Sequence, residues 1–242
     1  MPAVIFDLDG TLADTSRDLI EAANATLDEL GLGRPLDPVI DTLTAFHGGR
    51  ALMHAGTERK TGAQPDQGLI EQFYPRFLEI YEQEIDRYTR LYDGVEPALG
   101  ALRSEGWKLG ICTNKPVRLA EILIGRLGLQ TRFDSLIGAG SLPVRKPDPQ
   151  PLLHAVRLAQ ASPEGSVFVG DTRVDLETAR AAGMPVLLVG FGPEGQAVKR
   201  LEPDAVLDHF RDLPDLARKL SAARPAGLAA GSRETAMAAR RG

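Results

Sequence analysis

One cysteine, Cys112, stands among 242 residues. That excludes an internal disulfide framework and any cysteine-rich zinc site, and it fits a reducing compartment. Positive charge is not in excess either: 28 Lys plus Arg face 33 Asp plus Glu, a net charge of −5. Such a balance argues against a general binder of nucleic acid or anionic membrane. No run of about 18 apolar residues occurs, so no segment reads as a membrane-spanning helix. The opening MPAVIFDLDG meets an acid at Asp7, too soon for the apolar stretch of a signal peptide. The expected location is therefore the cytoplasm. A chain of this length buries roughly 70 to 75 % of its unfolded surface and needs no covalent or metal staple to hold a core.

Short apolar runs at 3–8, 108–112, 135–137, 166–169, 186–189 and 205–207 read as buried strands. Helix-period segments at 116–127, 149–159 and 174–182 lie between them, two opening on proline and the third ending at Gly183. Alternation of this kind predicts an α/β fold: a Rossmann-like, mostly parallel sheet with helices on both faces and ligands beyond the carboxyl ends of its strands. Residues 15–90 break the alternation. Leu19, Ile20, Ala23, Leu27 and Leu30 form one helical stripe ending at Gly31; Leu69, Ile70, Phe73, Phe77, Ile80, Tyr81 and Ile85 form another. Pro75 is expected to kink the second helix or start a new one. The predicted division is an α/β core of 1–14 and 91–220, an all-helical cap of 15–90 inserted after the first strand, and a disordered Ala-rich tail of 221–242. A cap over the strand ends would act as a lid.

The first strand ends in FDLDGTL. On an extended strand Asp7 and Asp9 point to the same side, and two unpaired anions at the end of an apolar run call for a cation. Gly10 permits a sharp turn, and Thr11 offers a hydroxyl and an N–H to an anion. A second strand ends in GICTNKP, where Thr113 brings a hydroxyl to a helix N-terminus suited to anions. A third ends in VFVGDTRVD, with Asp171 at the strand end and Asp175 a helical turn later. Between them Lys146, in LPVRKPDP, is kept out of a helix by Pro147.

FDLDGTL, ICTNK, RKPDP and VGDTRVD, in this order, resemble the four motifs of the haloacid dehalogenase-like phosphohydrolases. The helical insertion resembles the small cap of the subfamily that includes phosphoglycolate phosphatases. The likeness spans about residues 3–190. It implies a Mg²⁺-dependent phosphatase in which Asp7 is the nucleophile and Asp9 the general acid and base. Thr113 and Lys146 would hold the phosphoryl group. Asp7, Asp9 and Asp171 would hold the metal, with Asp175 supporting it. The chemistry asks for these types independently, since a carboxylate can split the hydrolysis into two displacements and a second one can move the proton. Asp7, Asp9 and Asp171 against Lys146 leave two negative charges, which one Mg²⁺ cancels. The substrate class implied is a small phosphorylated metabolite, 2-phosphoglycolate first, with a phosphosugar mutase, a pyrophosphatase or a non-catalytic phosphometabolite binder as alternatives. The partners expected are that metabolite and no nucleic acid or membrane, in a monomer or homodimer.

Other features are weighed against blander readings. Cys112 and Arg118 match the CxxxxxR spacing of cysteine phosphatases, but Pro116 lacks the N–H such a loop needs. GFGPEG at 190–195 spells GxGxxG, yet too little chain follows for a dinucleotide-binding half. His47, His54, His154 and His209 share no metal-ligand spacing. Asn114 is read as a cap for the following helix, with substrate contact as the alternative. FHGGR at 46–50 is read as a turn or hinge, and Arg50 as a candidate for a substrate carboxylate. Asp14, Asp18 and Asp28 are expected to be solvated.

Overall fold

The computed structural model describes residues 1–223. In chain order the elements are β1 (Ala3–Phe6), β2 (Ala13–Asp14), α1 (Ser16–Glu29), α2 (Thr42–Phe46), α3 (Gly49–Thr61), α4 (Gln67–Gln83), β3 (Arg90–Leu91), α5 (Val95–Ser104), β4 (Lys108–Pro116), α6 (Val117–Arg126), β5 (Ser135–Ala139), α7 (Gln150–Leu158), β6 (Val167–Gly170), α8 (Arg173–Ala181), β7 (Val186–Val189), β8 (Ala205–Leu207) and α9 (Leu213–Ala223).

Six strands pair in the order β5-β4-β1-β6-β7-β8, and every pairing is parallel. All four residues of β1 are buried, as two-sided cover requires. Alternate side chains enter opposite cores. Val4 and Phe6 join Leu109, Ile111, Val167 and Val169 on one face, with Leu99 and Leu102 of α5 and Leu123 of α6. Ala3 and Ile5 join Cys112, Phe168 and Val186 on the other, with Leu152 of α7 and Leu176 of α8. The chain runs outward from β1 to β4 and β5, then returns across β1 to β6. That reversal opens a crevice at the carboxyl end of β1, where such sheets hold ligands.

Four helices intervene between β2 and β3, which pair antiparallel through Ala13↔Leu91 and Asp14↔Arg90. The predicted all-helical segment is thus clasped at its base by a two-stranded ribbon, too short to show as alternation. Leu19, Ile20, Ala23 and Leu27 of α1 pack with Leu52 and Met53 of α3 and Ile70, Phe77 and Tyr81 of α4 in the same apolar cluster as one face of the sheet. α4 stays one helix through Pro75. The proline removes the N–H that would bond Glu71, but the buried stripe continues from Ile70 to Phe77 and Tyr81 across it, so packing overrides the break.

Asp18, expected in solvent, is buried. Its carboxylate accepts the Tyr88 and Thr89 N–H groups at 2.8–3.0 Å and the Thr89 hydroxyl at 2.8 Å, fastening the start of α1 to the segment leading into β3. Asp14 and Asp28 are exposed. α9 extends through Ala223, so the expected tail begins inside a helix; its residues 224–242 lie outside the described ones. Among the described residues no helix is long and apolar enough to cross a membrane.

Candidate active site

β1 delivers Asp7 to the crevice just past its last paired residue. Asp7 Oδ1 accepts the Leu8 N–H at 2.7 Å, and Oδ2 lies 2.9 Å from Lys146 Nζ. Lys146 comes from the loop after β5 and is buried between two acids, with Asp175 Oδ1 at 2.6 Å. Burial pulls the ammonium toward its neutral form, but Asp175 and then Asp7 outweigh it and hold the pKa above the ordinary lysine value. Burial, opposed by Lys146, raises the Asp7 carboxyl to about 6.

β6 delivers Asp171, and the first turn of α8 delivers Asp175. Asp175 Oδ2 accepts the Asp171 and Thr172 N–H groups and the Thr172 hydroxyl, closing a capping box at the start of α8. Both of its oxygens are engaged, so Asp175 acts chiefly as a brace for Lys146 and the helix. Asp171 differs. Its Oδ1 accepts the Thr11 hydroxyl at 2.9 Å, which commits that hydroxyl to a protein carboxylate rather than to a bound anionic ligand. Its Oδ2 is buried with no hydrogen-bond partner among the described residues. Burial, then Asp175 and Asp7, raise its pKa well above the ordinary value.

Asp7, Asp171 and Asp175 each offer an oxygen, all within 4.8 Å of one another. An orphaned buried carboxylate oxygen in a cluster of hard donors fits Mg²⁺. Asp9 stands outside this trio: its Oδ1 accepts the Thr15 hydroxyl at 2.7 Å and lies 2.9 Å from Lys115 Nζ. Counting Asp7, Asp9, Asp171 and Asp175 against Lys115 and Lys146 leaves two negative charges, so the balance predicted from fewer groups survives the addition of an acid and a lysine.

β4 runs on through the TNKP sequence and brings Thr113, buried, to the same edge. Its Oγ1 accepts the Lys115 N–H at 3.2 Å, and the hydroxyl keeps its own hydrogen to donate. Asn114 caps no helix, since Pro116 holds the position before α6. Its amide instead pairs with the Lys146 backbone, accepting the N–H and donating to the carbonyl, each at 3.0 Å. That clamp fixes the lysine loop against β4. Arg50 is not drawn to the crevice: within α3 it forms a two-point ion pair with Glu71 of α4 at 2.7 and 2.8 Å and lies over the Tyr74 ring.

Lys115 was missed by sequence reasoning, although strand alternation from Thr113 places it on the same side. It is buried, and its Nζ also lies 2.7 Å from the hydroxyl of Tyr81 on α4. The GFGPEG loop after β7 serves approach rather than nucleotide binding: a Cβ on Gly192 would stand 2.9 Å from the Gly10 carbonyl and 3.5 Å from Asp171 Cβ. Cys112 is buried, and burial pushes its thiol up to about 12, while Arg118 pairs with Glu82. Neither feature fits a cysteine nucleophile paired with that arginine.

The family model described as "Haloacid dehalogenase-like hydrolase" matches residues 4–189. A phosphoglycolate phosphatase of Cereibacter sphaeroides is 39 % identical over 92 % of this chain and its own full length. One of Mesorhizobium japonicum is 36 % identical over 90 % of this chain and 96 % of its own. A crystal structure described as a predicted phosphoglycolate phosphatase from Haemophilus somnus superposes with a TM-score of 0.79 at 25 % identity, covering 89 % of this chain and 97 % of that one. With a matching model over most of its length and relatives this similar, the chain belongs to the haloacid dehalogenase-like hydrolases.

Proposed function

We propose that this hydrolase is a Mg²⁺-dependent phosphomonoesterase that cleaves 2-phosphoglycolate to glycolate and phosphate through a phosphorylated Asp7. The observation that carries the reading is the orphaned Oδ2 of Asp171 beside an Asp7 carboxylate already paired with Lys146. The names of the curated relatives direct the choice of substrate.

Asp7 is held by two donors that leave a lone pair on each oxygen, so it can attack phosphorus without turning. Lys146 offsets charge on the phosphoryl oxygens, and the Thr113 hydroxyl donates to one of them. Asp9 gives a proton to the departing alkoxide and then takes one from the water that hydrolyses the acyl phosphate. Asp7 and Asp171 would hold Mg²⁺, with Asp175 bracing them; when bound, the ion neutralises the carboxylates and polarises the phosphoryl group. The helices α1–α4 would serve as a cap over the crevice, a reading supported by Phe46 at the end of α2, whose Cδ1 lies 3.0 Å from where a Gly10 Cβ would stand. Such a cover admits a small ester and excludes water.

The test is phosphate release from a panel of 2-phosphoglycolate, pyrophosphate and sugar phosphates in Mg²⁺ and in EDTA. The reading expects 2-phosphoglycolate to give the highest kcat/KM and EDTA to abolish release. Conversion of a sugar 1-phosphate to its 6-phosphate without release would contradict it.

A further inference from the structure

Lys115 is a buried cation to which the proposed mechanism gives no task. Its Nζ lies 2.9 Å from Asp9 Oδ1, 2.7 Å from Tyr81 Oη and 4.4 Å from the centre of the Tyr81 ring. Burial acts against the charged ammonium, but Asp9 and then Tyr81 outweigh it and raise its pKa. A buried charge of this kind is retained at a desolvation cost that surface lysines avoid. The same Asp9 oxygen takes the Thr15 hydroxyl at 2.7 Å. Thr15 immediately precedes α1, and Tyr81 lies in the last turns of α4. One carboxylate oxygen is thus tied to both ends of the helical insert, directly at one end and through Lys115 at the other. Tyr81 is itself fixed, fully buried and stacked on Phe77 with ring centres 6.2 Å apart.

We propose that Lys115 is a positioning residue that, together with Tyr81, fixes the Asp9 carboxylate for proton transfer and makes its aim depend on the seating of α4. This rests on the reading of Asp9 as general acid and base given above. In the first displacement the bond from an Asp7 oxygen to phosphorus forms, the bond from phosphorus to the ester oxygen breaks, and the Asp9 proton passes to that oxygen. An alkyl ester leaves as a strongly basic alkoxide and needs the proton, whereas 4-nitrophenolate leaves without it. A defect in aiming Asp9 therefore falls on alkyl esters, and a general structural defect falls on both.

The experiment compares kcat/KM, which covers only the steps through departure of the alcohol, for 2-phosphoglycolate and 4-nitrophenyl phosphate at saturating Mg²⁺. Lys115→Met should lower the value for the alkyl ester about 100-fold, within the range of acid–base contributions, and change the aryl ester by less than about 3-fold. Tyr81→Phe keeps the ring and its stacking and removes only the hydroxyl. It should lower the alkyl value about 10-fold with the same aryl insensitivity, and it carries the test if Lys115→Met does not fold. Equal losses for the two esters, or an unchanged alkyl value in Tyr81→Phe, would overturn the assignment. Cleavage of neither ester by the wild-type protein would overturn the proposed function itself, and this assignment with it.

Discussion

A Cβ placed on Gly10 would stand 2.9 Å from Cγ of Asp171, and its Phe46-facing side would meet Cδ1 of that ring at 3.0 Å. Gly10 also has φ of +80°, in the left-handed region. The glycine is required twice over, by the turn and by the carboxylate packed against it. Gly10→Ala should displace the Asp171 carboxylate and weaken Mg²⁺ binding by about 10-fold or more, the scale on which support of metal ligands acts. Magnesium titration by calorimetry, read beside the thermal melt, separates this from unfolding.

Asp175→Asn should destabilise the fold by about 3 kcal/mol, because its amide removes the negative charge facing Lys146 and turns two hydrogens either to Lys146 or to the Thr172 donors, whichever side its nitrogen takes. Urea unfolding measures the loss. Activity should fall too, since Lys146 would keep only Asp7 as a charged partner. A change under about 1 kcal/mol would show that Lys146 does not depend on this brace.

Asp18→Ala removes the acceptor shared by Tyr88 and Thr89. Two backbone N–H groups at the base of the helical insert lose their partner, so unfolding in urea should be easier by about 2 to 3 kcal/mol. The same variant should raise KM for 2-phosphoglycolate, because the helices between β2 and β3 lose a tether.

The acid dependence of stability has a defined sign. The Asp7 carboxyl is raised to about 6 and Asp171 is raised as well, so the metal-free fold takes up protons that the unfolded chain does not. The stability these groups contribute is full below the ordinary carboxyl pKa and is lost as the pH rises through about 6. Magnesium competes with those protons for the same oxygens. The thermal shift on adding Mg²⁺ should therefore be several degrees at about pH 7.5 and less than half of that at about pH 5. Equal shifts at both would place the cation elsewhere.

Local pattern carried much of this molecule. The apolar runs that became β1, β4, β6 and β7 are short, bounded and buried on both faces, and such runs have few other folds open to them. That Asp7, Asp171 and Lys146 meet at one sheet edge was legible because two of them follow strand ends and the third stands before Pro147 in the loop after β5. What escaped depends on partners distant in sequence. Asp18 reads as a solvated acid until residues 88 and 89 fold back onto it. Arg50 reads as a candidate for a substrate carboxylate until Glu71 arrives on the next helix, and Asn114 reads as a cap until the Lys146 loop is laid beside it. Lys115 was reachable by counting two residues from Thr113, but its meaning required Tyr81 and Asp9 together. Pro75 shows the converse, a strong local signal overruled by a buried stripe.

The central claim is that Asp7 is the group that carries the phosphoryl. Enzyme mixed with 2-phosphoglycolate labelled at phosphorus, in Mg²⁺, and quenched in acid within the first turnover should hold label stable to acid and released by hydroxylamine. After proteolysis it should be confined to the peptide bearing Asp7, with none retained in EDTA or in Asp7→Asn. Label on any other residue, or phosphate release from Asp7→Asn at the wild-type rate, would contradict the account.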